Sequence, residues 1–142
     1  MKHIILVSHG LFAFGLRDAV EVVMGEQDNI TPVGLEKEMS SNEFRKKFQS
    51  VIDSFGEDDE IILLCDIIGG SPFTSSLELL QEKGFYEKSL VVTGMNMPLL
   101  VQIILEQEEK SLQELQQEIK EIKSDTIQIF EDRQEEEDDA EL

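Results

Sequence analysis

Two runs of consecutive apolar residues restrict what this chain can become more than anything else in it. Residues 4–7 (Ile-Ile-Leu-Val) and residues 61–68, apolar throughout except for Asp66, show no polar alternation. Each therefore reads as a strand covered on both faces, which requires a parallel sheet with helices on either side. The first run breaks into Ser8-His9-Gly10. The second carries Asp66 near its carboxyl end and then turns at Gly69-Gly70. One histidine and one aspartate are thus delivered to the carboxyl ends of buried strands, the edge at which open α/β sheets bind ligands.

The rest of the chain alternates between a strand period and a helix period. After Gly10, Leu16, Ala19, Val20 and Val23 form a helical stripe that stops at Gly25. Residues 30–33 are a short β-branched run whose Pro32 suits an edge strand. Ser40 with Glu43 has the form of a capping box, and Phe44, Phe48, Val51, Ile52 and Phe55 mark the apolar face of the helix that follows. Ser71 stands where the next helix should be capped, with Pro72 at its first position. Residues 89–93 read as a fourth strand, and Gly94-Met95-Asn96-Met97-Pro98 restarts a helix. Around residue 111 that pattern hesitates at a second capping box, Ser111 with Glu114, so one broken helix and two short ones are both allowed. Residues 125–130 alternate, with Ile127 and Ile129 on one face, as a half-exposed or edge strand does.

Four such βα units predict an α/β fold, a mostly parallel, doubly wound sheet with helices on both faces and an order beginning 2-1-3-4. A single domain spans residues 1–130. The last twelve residues hold eight acids and one arginine, an acidic tail expected to be disordered. The net charge is −19, and the body is acidic even without the tail. Nucleic-acid phosphates and anionic lipid are repelled by such a surface, whereas a basic protein is steered towards it. No apolar segment approaches the roughly 20 residues of a membrane span, and the N-terminus is a strand rather than a leader, which predicts a cytoplasmic protein with no membrane insertion. The single cysteine, Cys65, lies in an apolar run and reads as an inert buried thiol.

With strands one and three adjacent, His9 and Asp66 face each other across the switch point, and the helix beginning near Ser71 forms a third wall. A carboxylate that holds one imidazole nitrogen fixes the tautomer and leaves the lone pair of the other free. A helix N-terminus preceded by glycines offers N–H groups to an anion. This combination suggests phosphoryl transfer to His9, with Asp66 as its partner. The phosphoryl charge is then met by Ser71 and by backbone N–H groups of Gly10, Leu11, Gly69, Gly70 and Phe73, with Ser8 and Asn96 in support. Other chemistries lack residues. A zinc site needs more ligands than His9, Asp66 and a buried cysteine, the serine-nucleophile elbow lacks its second glycine, and no phosphate-binding glycine loop followed by lysine is present. On local grounds alone, Ser71 reads as an ordinary N-cap before it reads as a phosphate ligand, and His3 as a bystander at the other end of its strand.

Three segments taken in order, Ser8-His9-Gly10, Asp66-Ile67-Ile68-Gly69-Gly70-Ser71-Pro72-Phe73 and Gly94-Met95-Asn96-Met97-Pro98, resemble the IIA component of the mannose-type bacterial sugar phosphotransferase system over about residues 1–130. Leu99 departs from the methionine the family often has after that proline. The resemblance implies that His9 accepts a phosphoryl group from phospho-HPr and passes it to a IIB component, with no metal or organic cofactor. It also implies a homodimer in which the last strand, residues 125–130, is exchanged and pairs antiparallel with the partner's sheet. The nearest rival is the phosphotransfer subunit of a dihydroxyacetone-type kinase, which the second and third segments disfavour. More remote are a receiver-like domain, which needs an acidic pair where Ser8-His9 stands, and a flavodoxin-like binding module, which needs a loop richer in hydroxyls.

Overall fold

The computed structural model describes residues 1–132. Four strands, β1 (Lys2–His9), β2 (Ile30–Leu35), β3 (Glu60–Cys65) and β4 (Ser89–Thr93), form one parallel sheet in the order β2-β1-β3-β4. In register, Val7 lies opposite both Val33 and Cys65, and His9 lies opposite Leu35. The uninterrupted apolar runs are explained by this position. Ile4 to Val7 on β1 and Ile61 to Cys65 on β3 are fully buried because helices cover both faces.

On one face, α1 (Phe12–Met24), α4 (Met97–Glu106) and α5 (Leu112–Ile122) pack Leu16, Val20, Leu100, Ile103 and Leu115 onto Ile4, Leu6, Ile62 and Leu64. On the other, α2 (Ser41–Ile52) and α3 (Ser71–Glu82) pack Phe44, Phe48, Leu79 and Leu80 onto Ile5, Val7 and Leu63. Both expected capping boxes form, Ser40 with Glu43 and Ser111 with Glu114, so the hesitation near residue 111 is a genuine break between α4 and α5. Pro32 sits on the edge strand, where a missing N–H costs no ladder bond.

Three expectations are corrected. β3 ends at Cys65, not residue 68, because the Asp66 carboxylate accepts the Ile67 N–H and turns the chain, leaving Ile67 and Ile68 exposed. Gly70, not Ser71, is the N-cap of α3; its carbonyl accepts from Thr74 N, so Ser71 and Pro72 occupy the first two helical positions. Val23 points to solvent, and the buried stripe of α1 is Ala13, Leu16 and Val20. Residues 125–130, expected to pair with a second copy, are in no ladder of the single chain. A 3-10 turn (Lys123–Thr126) is followed by residues in no ladder, with Ile127, Ile129 and Phe130 exposed. The expected disorder of the acidic tail lies, beyond residue 132, outside the described residues.

Candidate functional site

At the carboxyl edge of the sheet, β1 and β3 present His9 and Asp66 to each other across the switch point. One oxygen of Asp66, Oδ2, accepts two hydrogen bonds from the same residue, from the His9 backbone N–H at 2.8 Å and from the imidazole Nδ1–H at 2.8 Å. The other oxygen accepts the Ile67 N–H at 2.8 Å. Burial pushes the Asp66 carboxyl up, but these bonds and the neighbouring imidazole outweigh it and hold the group below the usual carboxylate range. A carboxylate at Nδ1 assigns the proton to that nitrogen, so Nε2 carries the free lone pair. Half of the imidazole surface is exposed, whereas Asp66 is largely covered.

Two glycines set the position of the ring. A Cβ on Gly70 would lie 2.8 Å from His9 Cε1 and 3.3 Å from Nε2, so the imidazole edge rests where only a glycine leaves room. Gly10 adopts φ +57°, and its N–H donates to the Leu35 carbonyl at 2.8 Å. Its contribution is therefore the shape of the turn, not a free donor. A Cβ on Gly34 of β2 would meet the Gly10 carbonyl at 2.3 Å. Gly34 was not apparent in the sequence as a site residue. Its only signal is a glycine inside a β-branched run, where it weakens a strand unless another backbone comes close.

The other residues singled out in the sequence divide into two groups. Gly69 (φ +85°), Gly70, Ser71 and Phe73 form the loop and first turn of α3, whose leading N–H groups have no partner within the helix and point towards the carboxyl edge. The Ser71 hydroxyl is exposed and has no hydrogen bond among the described residues, whereas the Phe73 ring packs against the core. Leu11 is the N-cap of α1, beside His9. Ser8 and Asn96 instead serve the scaffold. The fully buried Ser8 hydroxyl accepts the Ala13 N–H at 2.8 Å and ties down the start of α1. Asn96 caps α4 through the Leu99 N–H at 2.9 Å and donates to Thr126 at 3.2 Å.

No group of three or more metal-ligating side chains occurs among the described residues. Cys65 is fully buried, and burial, reinforced by the Asp66 charge, pushes its thiol up to about 12, which makes it unreactive. His3 is no idle bystander: at the opposite end of β1 its Nε2–H donates to Asp59 at 2.9 Å, and its ring stacks on Phe55 at 3.6 Å. A cavity of about 400 Å³ at that end of the sheet, lined by Met1, Lys2, Asn29 and Gln107, is remote from His9.

A parallel sheet with one histidine held by one aspartate at its switch point, against a helix N-terminus, defines a doubly wound α/β domain with a nucleophilic imidazole beside an anion-binding helix start. The chain belongs to the mannose-type IIA family of the bacterial phosphotransferase system, whose family model, described as the fructose IIA component, matches residues 3–120. It is 23% identical over 129 residues to the fructose-specific EIIA component of Bacillus subtilis (91% of this chain, 86% of that one) and 28% identical over 122 residues to the sorbose-specific EIIA component of Lacticaseibacillus casei (86% of each). Among solved structures, the EIIA component from Streptococcus agalactiae superposes with a TM-score of 0.81 at 29% identity, covering 92% of this chain and 98% of that one. A IIA protein associated with the fucose utilization operon of Streptococcus pneumoniae gives 0.72 at 31% identity, covering 84% and 89%. No described helix is long and apolar enough to cross a membrane.

Proposed function

We propose that His9 is the phosphoryl acceptor, taking the group from the phosphohistidine of the carrier HPr and passing it to a IIB component. The observation that carries this reading is the double hydrogen bond from His9 to Asp66 Oδ2, which leaves Nε2 outward and unprotonated beside the start of α3. The Nε2 lone pair forms the new N–P bond as the P–N bond of the donor breaks, and that electron pair returns to the donor imidazole. No proton need leave His9. Nδ1–H stays on Asp66, whose negative charge balances the positive charge the ring acquires. The transferring oxygens meet the N–H groups of Gly70, Ser71 and Phe73 and the Ser71 hydroxyl, donors held in place before the reaction begins. Onward transfer is the same step reversed, with the pair returning to Nε2.

Incubation with HPr and its upstream kinase tests this directly. Intact mass should show one added phosphate, labile to acid and stable to base, absent from His9→Ala. Phosphate retained in that variant, or found on His3, overturns the assignment. The working unit in this reading is the domain of residues 1–130 as a homodimer, in which residues 125–130 of each copy pair antiparallel along β4 of the other. An open groove of about 530 Å³ along that strand, lined in part by Val91, Thr93, Ile119 and Lys120, supports it.

A further inference from the structure

At the edge of the sheet opposite His9, one buried amide is left with bonds to make. Gln107, immediately after α4, is 7% exposed, and of the polar side chains buried among the described residues it alone is not a serine. A neighbour fixes which way it faces. Asn29 Nδ2 donates to the Lys2 carbonyl at 3.1 Å and to Gln107 Oε1 at 2.7 Å. A backbone carbonyl can only accept, so the NH2 of Asn29 is identified and both of its hydrogens are engaged. Gln107 therefore turns its oxygen to Asn29 and its Nε2 away, where the nitrogen stays open to solvent and donates to nothing among the described residues. Asn29 Oδ1 likewise accepts nothing there. Buried polar groups are nearly always paired, so a free amide donor beside a free amide acceptor is a place for a ligand to complete.

Both amides line the cavity of about 400 Å³ where β1 and β3 begin, together with Asp28 and Glu108. That volume lies within the range of ligand sites. Glu60, also in the lining, is paired with Lys2 at 3.7 Å, whereas neither Asp28 nor Glu108 has an ion-pair partner among the described residues. We propose that this cavity binds an arginine-bearing peptide segment of a partner protein, with Gln107 Nε2 donating to a peptide carbonyl, Asn29 Oδ1 accepting a peptide N–H, and Asp28 and Glu108 taking the guanidinium. A peptide group carries one donor and one acceptor, which is what the amide pair leaves free. The guanidinium fork suits carboxylates that lack a cation of their own. Phosphates and other anions are repelled by the same carboxylates and by the net charge of −19, which steers a basic segment in. Because the cavity and His9 lie at opposite edges of the sheet, the segment binds without displacing a phosphoryl donor, and the proposal does not depend on His9 being the acceptor.

The full chain, labelled with 15N, is titrated with acetyl-Gly-Arg-Gly-amide and followed by NMR. Saturating shifts centred on the Gln107 and Asn29 side-chain amides are expected, with the His9 amide unmoved and the same affinity in His9→Ala. Acetyl-Gly-Gln-Gly-amide should produce no saturating shift, and agmatine, a guanidinium without peptide groups, should bind about tenfold more weakly. Gln107→Met, and separately Asp28→Asn with Glu108→Gln at exposed positions the fold does not need, should each raise the Kd of the arginine peptide about tenfold. Shifts that fail to saturate, or that spread over the acidic surface, show counter-ion binding only and overturn the site. An affinity unchanged in both variants overturns it as well. Agmatine binding as tightly as the peptide removes the peptide contacts, and an equal response to the neutral peptide removes the role of the carboxylates; either result overturns the proposal.

Discussion

Asp66 is a single side chain that performs two tasks with one oxygen: it fixes the turn through the His9 N–H and the tautomer through Nδ1. Asp66→Asn separates them, because an amide oxygen can still accept from the backbone but balances the charge on a phosphorylated ring far less. A folded protein that transfers about 10- to 100-fold more slowly is expected, and rates equal to wild type at neutral pH would remove Asp66 from the mechanism. The carboxyl is held below its ordinary pKa. Its contribution to stability is therefore complete above the unfolded value of about 3.9 and is lost only as pH falls through the lower folded value. Denaturation of wild type and Asp66→Asn should accordingly differ by a constant amount from neutral pH down to about 4 and converge below it; a difference that fades nearer pH 6 contradicts the assignment. His9 and Asp66 were legible as a pair because each ends an apolar run. Gly34 was not, because the 2.3 Å clash that demands glycine exists only once β2 lies against the Gly10 turn.

At the level of elements, periodicity located the four strands of the sheet and the five α-helices of the described residues, missed the two 3-10 turns, and erred where local hydrogen bonding overrides hydropathy. Ile67 and Ile68 continue the apolar run of β3 in sequence, yet the Asp66 carboxylate turns the backbone before them. Composition alone cannot separate a buried isoleucine from one exposed at a turn. Asn96 shows a similar ambiguity: in a family motif it invites a catalytic role, but its bonds go to Leu99, Gly94 and Thr126, with none to the His9–Asp66 pair among the described residues. As a cap, it should be replaceable. Asn96→Ala is expected to lose about 1 kcal/mol, or roughly 4 °C in Tm for a domain of this size. Asn96→Asp should recover most of that loss, and transfer in both variants should stay within about twofold of wild type. A transfer defect that survives the Asp replacement would return Asn96 to the active site.

For the whole molecule, the open question is posed by the C-terminal segment. The 3-10 turn of residues 123–126 is fastened to the carboxyl edge of the sheet by the Asn96–Thr126 bond, so the chain beyond it starts beside the end of β4. From there Ile127, Ile129 and Phe130 are 78%, 86% and 90% exposed, and the outer edge of β4 has no neighbouring strand among the described residues. An alternating segment with bare side chains and an edge strand with bare N–H and C=O groups each need what the other supplies. The proposed exchange meets both needs by pairing this segment of each copy antiparallel with β4 of the other, and on that proposal the protein is a stable homodimer. Truncation after Ser124 should give a monomer by light scattering, whereas removal of residues 131–142 should leave the dimer intact. A monomeric full-length protein, or a dimer indifferent to the loss of residues 125–130, would end the strand-exchange reading without touching the chemistry proposed for His9, because every residue given a role there lies within one chain.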